Sequence, residues 1–314
     1  MAIGFLAVDC PDYGCDEFTG IGTVGRAHSG LASLAQSDPK AKCEATQQLA
    51  AWPGRIASAD SPRPTARGLD GGWAISEQDC IEFEQALANP PLRPGRPLKP
   101  RLVHPRQVPD RGVGSELGRA ALLHAIAHIE FNAIDLALDA IWRFPAQPAS
   151  WVIDWMNVAL DEARHFTMLQ SELRRRGYQY GDFEAHDGLW EMALRTRDDV
   201  LVRVALVPRL LEARGLDVTP RIIERLRGAG DLRAIAILEV ILREEVAHVA
   251  IGNAWFHRLC EALGLDARIA WDALAQAQAV SPPVPPFNRV ARLKAGFEES
   301  ELQRWELHAQ SARL

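Results

Sequence analysis

Glu162 and His165 stand three residues apart, and so do Glu245 and His248. An α-helix advances about 100° per residue, so positions i and i+3 share a face. A carboxylate and an imidazole spaced in this way can reach one metal ion together. Both pairs fall on apolar stripes. Trp155, Val158, Ala159, Phe166 and Leu169 accompany the first, and Leu238, Ile241, Gly252 and Trp255 the second. An ionised carboxylate on such a face is strongly disfavoured unless it is paired or metal-bound. One Glu-x-x-His string is weak evidence, because both residues are common on helices. Two strings on apolar stripes, about 83 residues apart, point to a carboxylate-rich site for two metal ions.

Such a site needs one more carboxylate from each of two other helices. Glu130 is the sole charge on a stripe of Leu123, Ala127, Ile134, Ala137 and Ile141. Glu212 shares a face with Leu201, Ala205 and Pro208. Pro208 predicts a kink there, and Gly215 predicts a helix end soon after Glu212. Four glutamates carry four negative charges and two neutral imidazoles none, a sum that two divalent ions neutralise. Without metal, the mutual repulsion favours proton uptake. Oxygen-rich ligation with two imidazoles suits iron or manganese, and neither composition nor spacing chooses between them; iron is the first expectation and manganese the second.

Neighbouring residues carry two readings each. Asp161 can accept an N–H from a ligand histidine on another helix, or it is a surface aspartate. Trp155 and Trp255 wall a cavity beside the ions or fill the core. Glu244 could replace Glu245, but it leaves the apolar stripe. His124 and His128 are spaced to chelate a metal, yet His128 points roughly 160° away from Glu130. Contact with the N-terminal segment or a partner subunit is expected for them. His186 and Asp187 are expected to hold their loop together. Arg174, Arg175 and Arg176 complement a helix C-terminus.

The elements that must position these residues are helical. Four long helical patterns run over about 115–143, 150–176, 188–214 and 231–262. Pro145 and Pro148, the segment GYQYGDFEAHDG, and Gly215 to Pro220 separate them, and Arg221 to Arg227 forms a short helix before the fourth. No β-alternation competes, so the fold class is all-α. Four units are expected: a glycine-rich, flexible segment 1–30; a helical and Pro-rich arm 31–114; the helical body 115–262; and a C-terminal helical extension 263–314. Within the arm, Asp38-Pro39 reads as a cap with proline at the first helical position, and that helix runs to about Trp52. Ser76 to Leu87 reads as a short helix. Seven prolines forbid a regular helix over 90–114. Six Arg or Lys residues face one Asp there, so a basic extended arm is expected, either a strap laid across an acidic body or an arm that binds substrate or nucleic acid. After the body, SPPVPPF breaks the chain and a terminal helix starts near Glu298.

A net charge of −6 gives no whole-protein case for nucleic acid, which is disfavoured as a partner. Five scattered cysteines without a C-x-x-C pair fit a reducing compartment. The N-terminus lacks a basic region before its apolar stretch, and no run of 18 apolar residues occurs, so cytoplasm without a membrane anchor is expected.

The order Glu130, Glu162-x-x-His165, Glu212, Glu245-x-x-His248 resembles the ferritin-like dimetal carboxylate superfamily. The strings LLHAIAHIEFNAIDLALDA, DEARHFTML, YGDFEAHDGLW, LVPRLLEARGLDVTP and EEVAHVAIG resemble the ferritin-like family called domain of unknown function 455, from about residue 31 to 309. That family is a distant relative of the tRNA hydroxylase acting on isopentenyl-adenosine derivatives. The resemblance implies a ferritin-like four-helix bundle and O2 chemistry on a small molecule or modified nucleoside. The electron donor is not indicated, and a homodimer is compatible with the sequence. The alternative is a ferroxidase or metal-storage protein, against which the arm and the C-terminal helices speak.

Overall fold

The structure is a computed structural model that describes residues 36–50 and 94–311. The expectations for segment 1–30 and for a helix over Ser76 to Leu87 lie outside these residues. Among the described residues the regular structure is helical, apart from one isolated parallel bridge between Leu102 and Ala185.

Helix α1 (Pro39–Ala50) starts as its sequence predicts, with Asp38 Oδ1 accepting the Ala41 N–H at 2.8 Å. Helix α2 (Glu116–Arg143) is capped by Ser115. Helix α3 (Ala149–Arg175) returns alongside it after a short connection, and these two make the most extensive pairing in the molecule. Helix α7 (Leu232–Ala262), capped by Asp231, packs against α3. Helix α2 is long and apolar enough to cross a membrane by composition alone, but 72% of its most apolar stretch is buried inside the protein. It is a core helix here.

The third helical pattern departs from expectation. It is not one helix over 188–214 but α4 (Gly188–Arg195), α5 (Val200–Leu206), a π turn (Val207–Glu212) and α6 (Ala213–Gly228). The break before α5 has a local cause. Asp199 accepts the N–H groups of Leu201 and Val202, which starts a new helix, and buried Arg203 pins the break by donating to Thr196 Oγ1 and the Ala193 carbonyl. Conversely, Gly215 and Pro220 do not end a helix, and Arg221 to Arg227 belongs to α6. Proline at 220 deprives the Leu216 carbonyl of its helical donor. Asn288 Nδ2 supplies the missing hydrogen bond at 3.1 Å. Leu216, Ile223 and Leu226 are buried on that face. At roughly 2 kcal/mol for each buried side chain they outweigh a proline penalty of about 3 kcal/mol.

Helices α8 (Ala267–Ala277) and α9 (Arg289–Lys294) close over α5, α6 and α7, and α10 (Glu299–Ser311) meets α8 through Trp305 and Trp271. The strap from residue 94 lies against the body. Arg96 Nε pairs with buried Asp135 at 3.0 Å and its Nη2 donates to Asn132. Fully buried Lys42 of α1 binds the same Asp135 and the Gly95 carbonyl. Arg101 and Arg111 both reach Glu184. The strap arginines thus engage carboxylates of the body.

His124 and His128, expected against an N-terminal segment or a partner subunit, face the 180–186 segment. Tyr180 Oη and the His186 carbonyl bind the two nitrogens of His128. His124 Nε2 accepts the Gly181 N–H at 2.9 Å under stacked Tyr180. Protonation would turn this acceptor into a second donor. Burial holds His124 down at about 4, with Asp182 pulling the other way, whereas a histidine in an unfolded chain titrates near 6.5. Between these values the folded chain binds fewer protons, so the contribution is intact above pH 6.5 and is lost as pH falls. From pH 7 to pH 5, His124 should remove about 2 kcal/mol of stability. Urea unfolding at the two pH values checks this: His124→Gln, which keeps an acceptor, should lose correspondingly less than wild type. An equal loss would assign the acid sensitivity elsewhere.

Candidate metal centre

Helix α2 contributes Glu130, α3 contributes Glu162 and His165, and α7 contributes Glu245 and His248. Glu130, Glu162, His165 and His248 are buried, and Glu245 is mostly enclosed. Ligand atoms of Glu130, Glu162, His165 and Glu245 all lie within 4.8 Å of one another. Both histidines turn Nδ1 inward. His165 Nδ1 lies 3.1 Å from Glu130, 3.5 Å from Glu162 and 3.9 Å from Glu245. His248 Nδ1 lies 3.0 Å from Glu162 and 3.4 Å from Glu245. Glu162 therefore stands between the two rings.

Glu212, the last residue of the π turn, stands outside the tightest group but within its field. Burial raises its carboxyl to about 8, with Glu245 and then Glu162 adding to the rise. Burial and Glu162 do the same to Glu130, also to about 8. Burial opposes charge on His165, yet Glu130 and Glu162 outweigh it and push the ring up to about 11. Burial likewise opposes charge on His248, and Glu245, Asp161 and Glu162 raise it well above the ordinary range.

An outer layer holds the rings by their other nitrogens. His165 Nε2 donates to Glu244 at 2.7 Å, and His248 Nε2 donates to Asp161 at 3.2 Å. The acid preceding each helix's inner glutamate thus holds the histidine of the other helix. Arg164 joins the two acids, donating to Asp161 and to Glu244 at 2.7 Å each. Burial works against ionised Asp161, but His248 and Arg164 hold it down at about 2. Asp161 is therefore more than a surface aspartate, and Glu244 acts behind His165 rather than in place of Glu245. The stripe pattern does not reach Arg164. The signal that could find this layer is the repeat of an acidic pair before each histidine, Asp161-Glu162 and Glu244-Glu245.

The remaining predicted residues sort plainly. Trp155 and Trp255 are core residues, each edge-on to Trp151 at 5.4 and 5.1 Å, and Trp255 Nε1 donates to Asp154. His186 and Asp187 serve their loop, with His186 Nδ1 accepting the Gly188 N–H and Asp187 near Arg96.

The cluster fits metal ions on its own chemistry. Glu162 Oε2, Glu212 Oε2 and His248 Nδ1 are buried and make no hydrogen bond among the described residues. Elsewhere in the interior, buried acids meet bases: Asp135 with Lys42 and Arg96, Asp139 with Arg143 and Arg203. Here four glutamates converge on two histidines, and the guanidinium of Arg164 is taken by the outer acids. Hard oxygen donors with two imidazoles are the donor set of a divalent first-row ion.

Residues 35–303 match the family described as "Protein of unknown function (DUF455)", and the chain belongs to that family. An uncharacterized protein of Haemophilus influenzae is 49% identical over 213 residues, which cover 66% of this chain and 74% of that one. No solved structure matches the chain.

The protonation of the metal-free cluster has two measurable outcomes. Burial and repulsion raise Glu130 and Glu212, and the surrounding acids raise His165, so an ion that binds here should displace protons. Binding of Mn(II) should release protons and weaken as pH falls. Calorimetric titration in two buffers of different ionisation enthalpy reads this directly, and identical heats in both would contradict it. Asp161→Asn and Glu244→Gln should each weaken Mn(II) binding by roughly 10–100-fold with helicity unchanged.

Proposed function

We propose that the protein is a ferritin-like dimetal carboxylate oxidoreductase. Two divalent ions, iron in the first place and manganese as the alternative, are held by Glu130, Glu162, His165, Glu212, Glu245 and His248. The observation that carries this reading is the excess of buried acid over base at one point of an interior that otherwise pairs its charges. Ions of this kind, when bound and reduced, supply the reduction of O2 and with it an oxidant able to hydroxylate or desaturate an organic molecule.

The protein's own part is positional and electrostatic. Glu162 and the two Nδ1 atoms bring ligands to a common point between α2, α3 and α7. Asp161 and Glu244 fix the ring orientations and accept the Nε2 protons, which leaves each Nδ1 lone pair for ligation once its proton departs. Phe166, Val158, Ala159 and Leu238 are buried on the ligand stripes and keep bulk water from the centre. Substrate is an unidentified small molecule or modified nucleoside. The pairing of Arg96, Arg101 and Arg111 with Asp135 and Glu184 favours the small molecule over an extended nucleic acid.

Metal content decides the first half. Protein from iron- and manganese-supplemented cells should carry close to two ions per chain by the ligand count, and Glu162→Ala should lose most of them. Protein that retains neither metal, even after anaerobic reconstitution, would sink the reading. For the second half, the reduced metalloprotein is exposed to O2 with and without a fractionated cell extract. O2 consumption that depends on one fraction is the expected result. Fast turnover with Fe(II) alone, and no response to extract, would make it a ferroxidase instead.

A further inference from the structure

Glu212 reaches the cluster from the end of the π turn Val207–Glu212. A π turn holds one residue more than an α turn, so relaxing it to regular helix rotates the helix after it by about 100° relative to the helix before it. Glu212 would then leave the cluster. Two devices oppose this relaxation. The first is Pro208, which has no N–H for the helical ladder and whose ring sits against Gly252. A Cβ at position 252 would lie 2.4 Å from Pro208 Cβ and 2.7 Å from Cγ, so no larger residue fits without displacing the turn. Gly252 stands about one turn beyond His248 on α7, so the notch and the ligands share one helix.

The second device is Arg209. It is 2% exposed. Its guanidinium lies 4.8 Å from the ring centroids of Phe256 and Trp271, 5.0 Å from Phe297 and 5.9 Å from Trp305. Nη2 donates to Glu301 of α10 at 2.5 Å, while Nε and Nη1 make no hydrogen bond among the described residues. A desolvated guanidinium is a poor filler for an aromatic pocket if stability alone is at stake. An apolar side chain of similar volume serves as well or better. What the ion pair adds is direction: it joins one residue of the π turn to one residue of the terminal helix.

We propose that Arg209 is a positioning residue for the metal centre, and that its pairing with Glu301, together with Pro208 in the Gly252 notch, fixes the π turn that presents Glu212. The C-terminal helices are thereby part of the site, although they offer it no ligand. This inference rests on the reading of the cluster as a metal centre.

The test compares full-length wild type, Arg209→Met, Arg209→Lys, Glu301→Gln, Glu212→Gln and the double variant Arg209→Met/Glu212→Gln. Mn(II) affinity is read by calorimetry and the bound ions by electron paramagnetic resonance. Hydrogen exchange of the amides of residues 207–213 is read in the metal-free proteins. Arg209→Met should remain helical, exchange in the turn about tenfold faster, and lose about tenfold in Mn(II) affinity. The double variant should bind no more weakly than Glu212→Gln alone, because Arg209 acts through Glu212. Arg209→Lys, which keeps a cation in the aromatic pocket, should recover most of the binding.

A folded Arg209→Met with wild-type exchange and affinity would overturn the proposal. So would a double variant whose loss is the product of the two single losses. If Arg209→Met does not fold, Glu301→Gln makes the same comparison, and wild-type behaviour in both readouts overturns the proposal. Failure of the metal reading has its own signature. Wild type then takes up neither Mn(II) nor Fe(II), while exchange in the turn still responds to Arg209→Met, and the proposal falls with that reading.

Discussion

Like charges cannot be gathered in a protein interior without something to balance them. Each ionised carboxylate removed from water is disfavoured by several kcal/mol, and each further one beside it adds repulsion. Glu130, Glu162, Glu212 and Glu245 come together from α2, α3, the π turn and α7, and the surrounding architecture answers to that. The helices must be long and packed in depth to hold four acids against their tendency to separate. Burial and mutual repulsion raise the carboxyls of Glu130 and Glu212 to about 8, and the acids around them raise the rings of His165 and His248 above the ordinary range.

The remaining buried charges show how differently the chain treats acids that are only structural. Asp135 receives Lys42 and Arg96, which fastens α1 and the strap to α2. Asp139 receives Arg143 and Arg203, which fastens α5 to α2. Asp217 receives Arg292, which fastens α9 to α6. Each of these acids is met by at least one cation, and in each case one partner comes from another element. The chain can neutralise a buried acid wherever it needs only a clamp. The unpaired excess is confined to the place where the ligand stripes meet.

Periodicity makes the inner site legible. Glu130, Glu162, His165, Glu245 and His248 are each the polar exception on an apolar stripe, and a regular α-helix carries such a stripe faithfully. Glu212 is reached by the same reasoning although the ladder before it is not regular. Its approach depends on the extra residue of the π turn, which spacing alone does not announce. Helix ends are misjudged where a distant residue intervenes. Nothing near Pro220 foretells that Asn288 will satisfy the Leu216 carbonyl, and nothing near Arg203 foretells its hold on Thr196. The same limit hides Arg164, whose role exists only once α3 and α7 lie side by side. Patterns within one helix can be read locally, whereas partners across the fold cannot.

The crossed hydrogen bonds between Asp161 and His248, and between Glu244 and His165, have a consequence for how such a chain can diverge. Neither helix owns a complete half of the centre: each supplies a glutamate and a histidine, and also the support for the other's histidine. A substitution at position 161 is felt on α7, and one at 244 is felt on α3. The four positions are coupled across the two helices, and a chimera that takes α3 from one source and α7 from another, with different residues at them, inherits two mismatched supports at once. The unit of inheritance for this site is the helix pair.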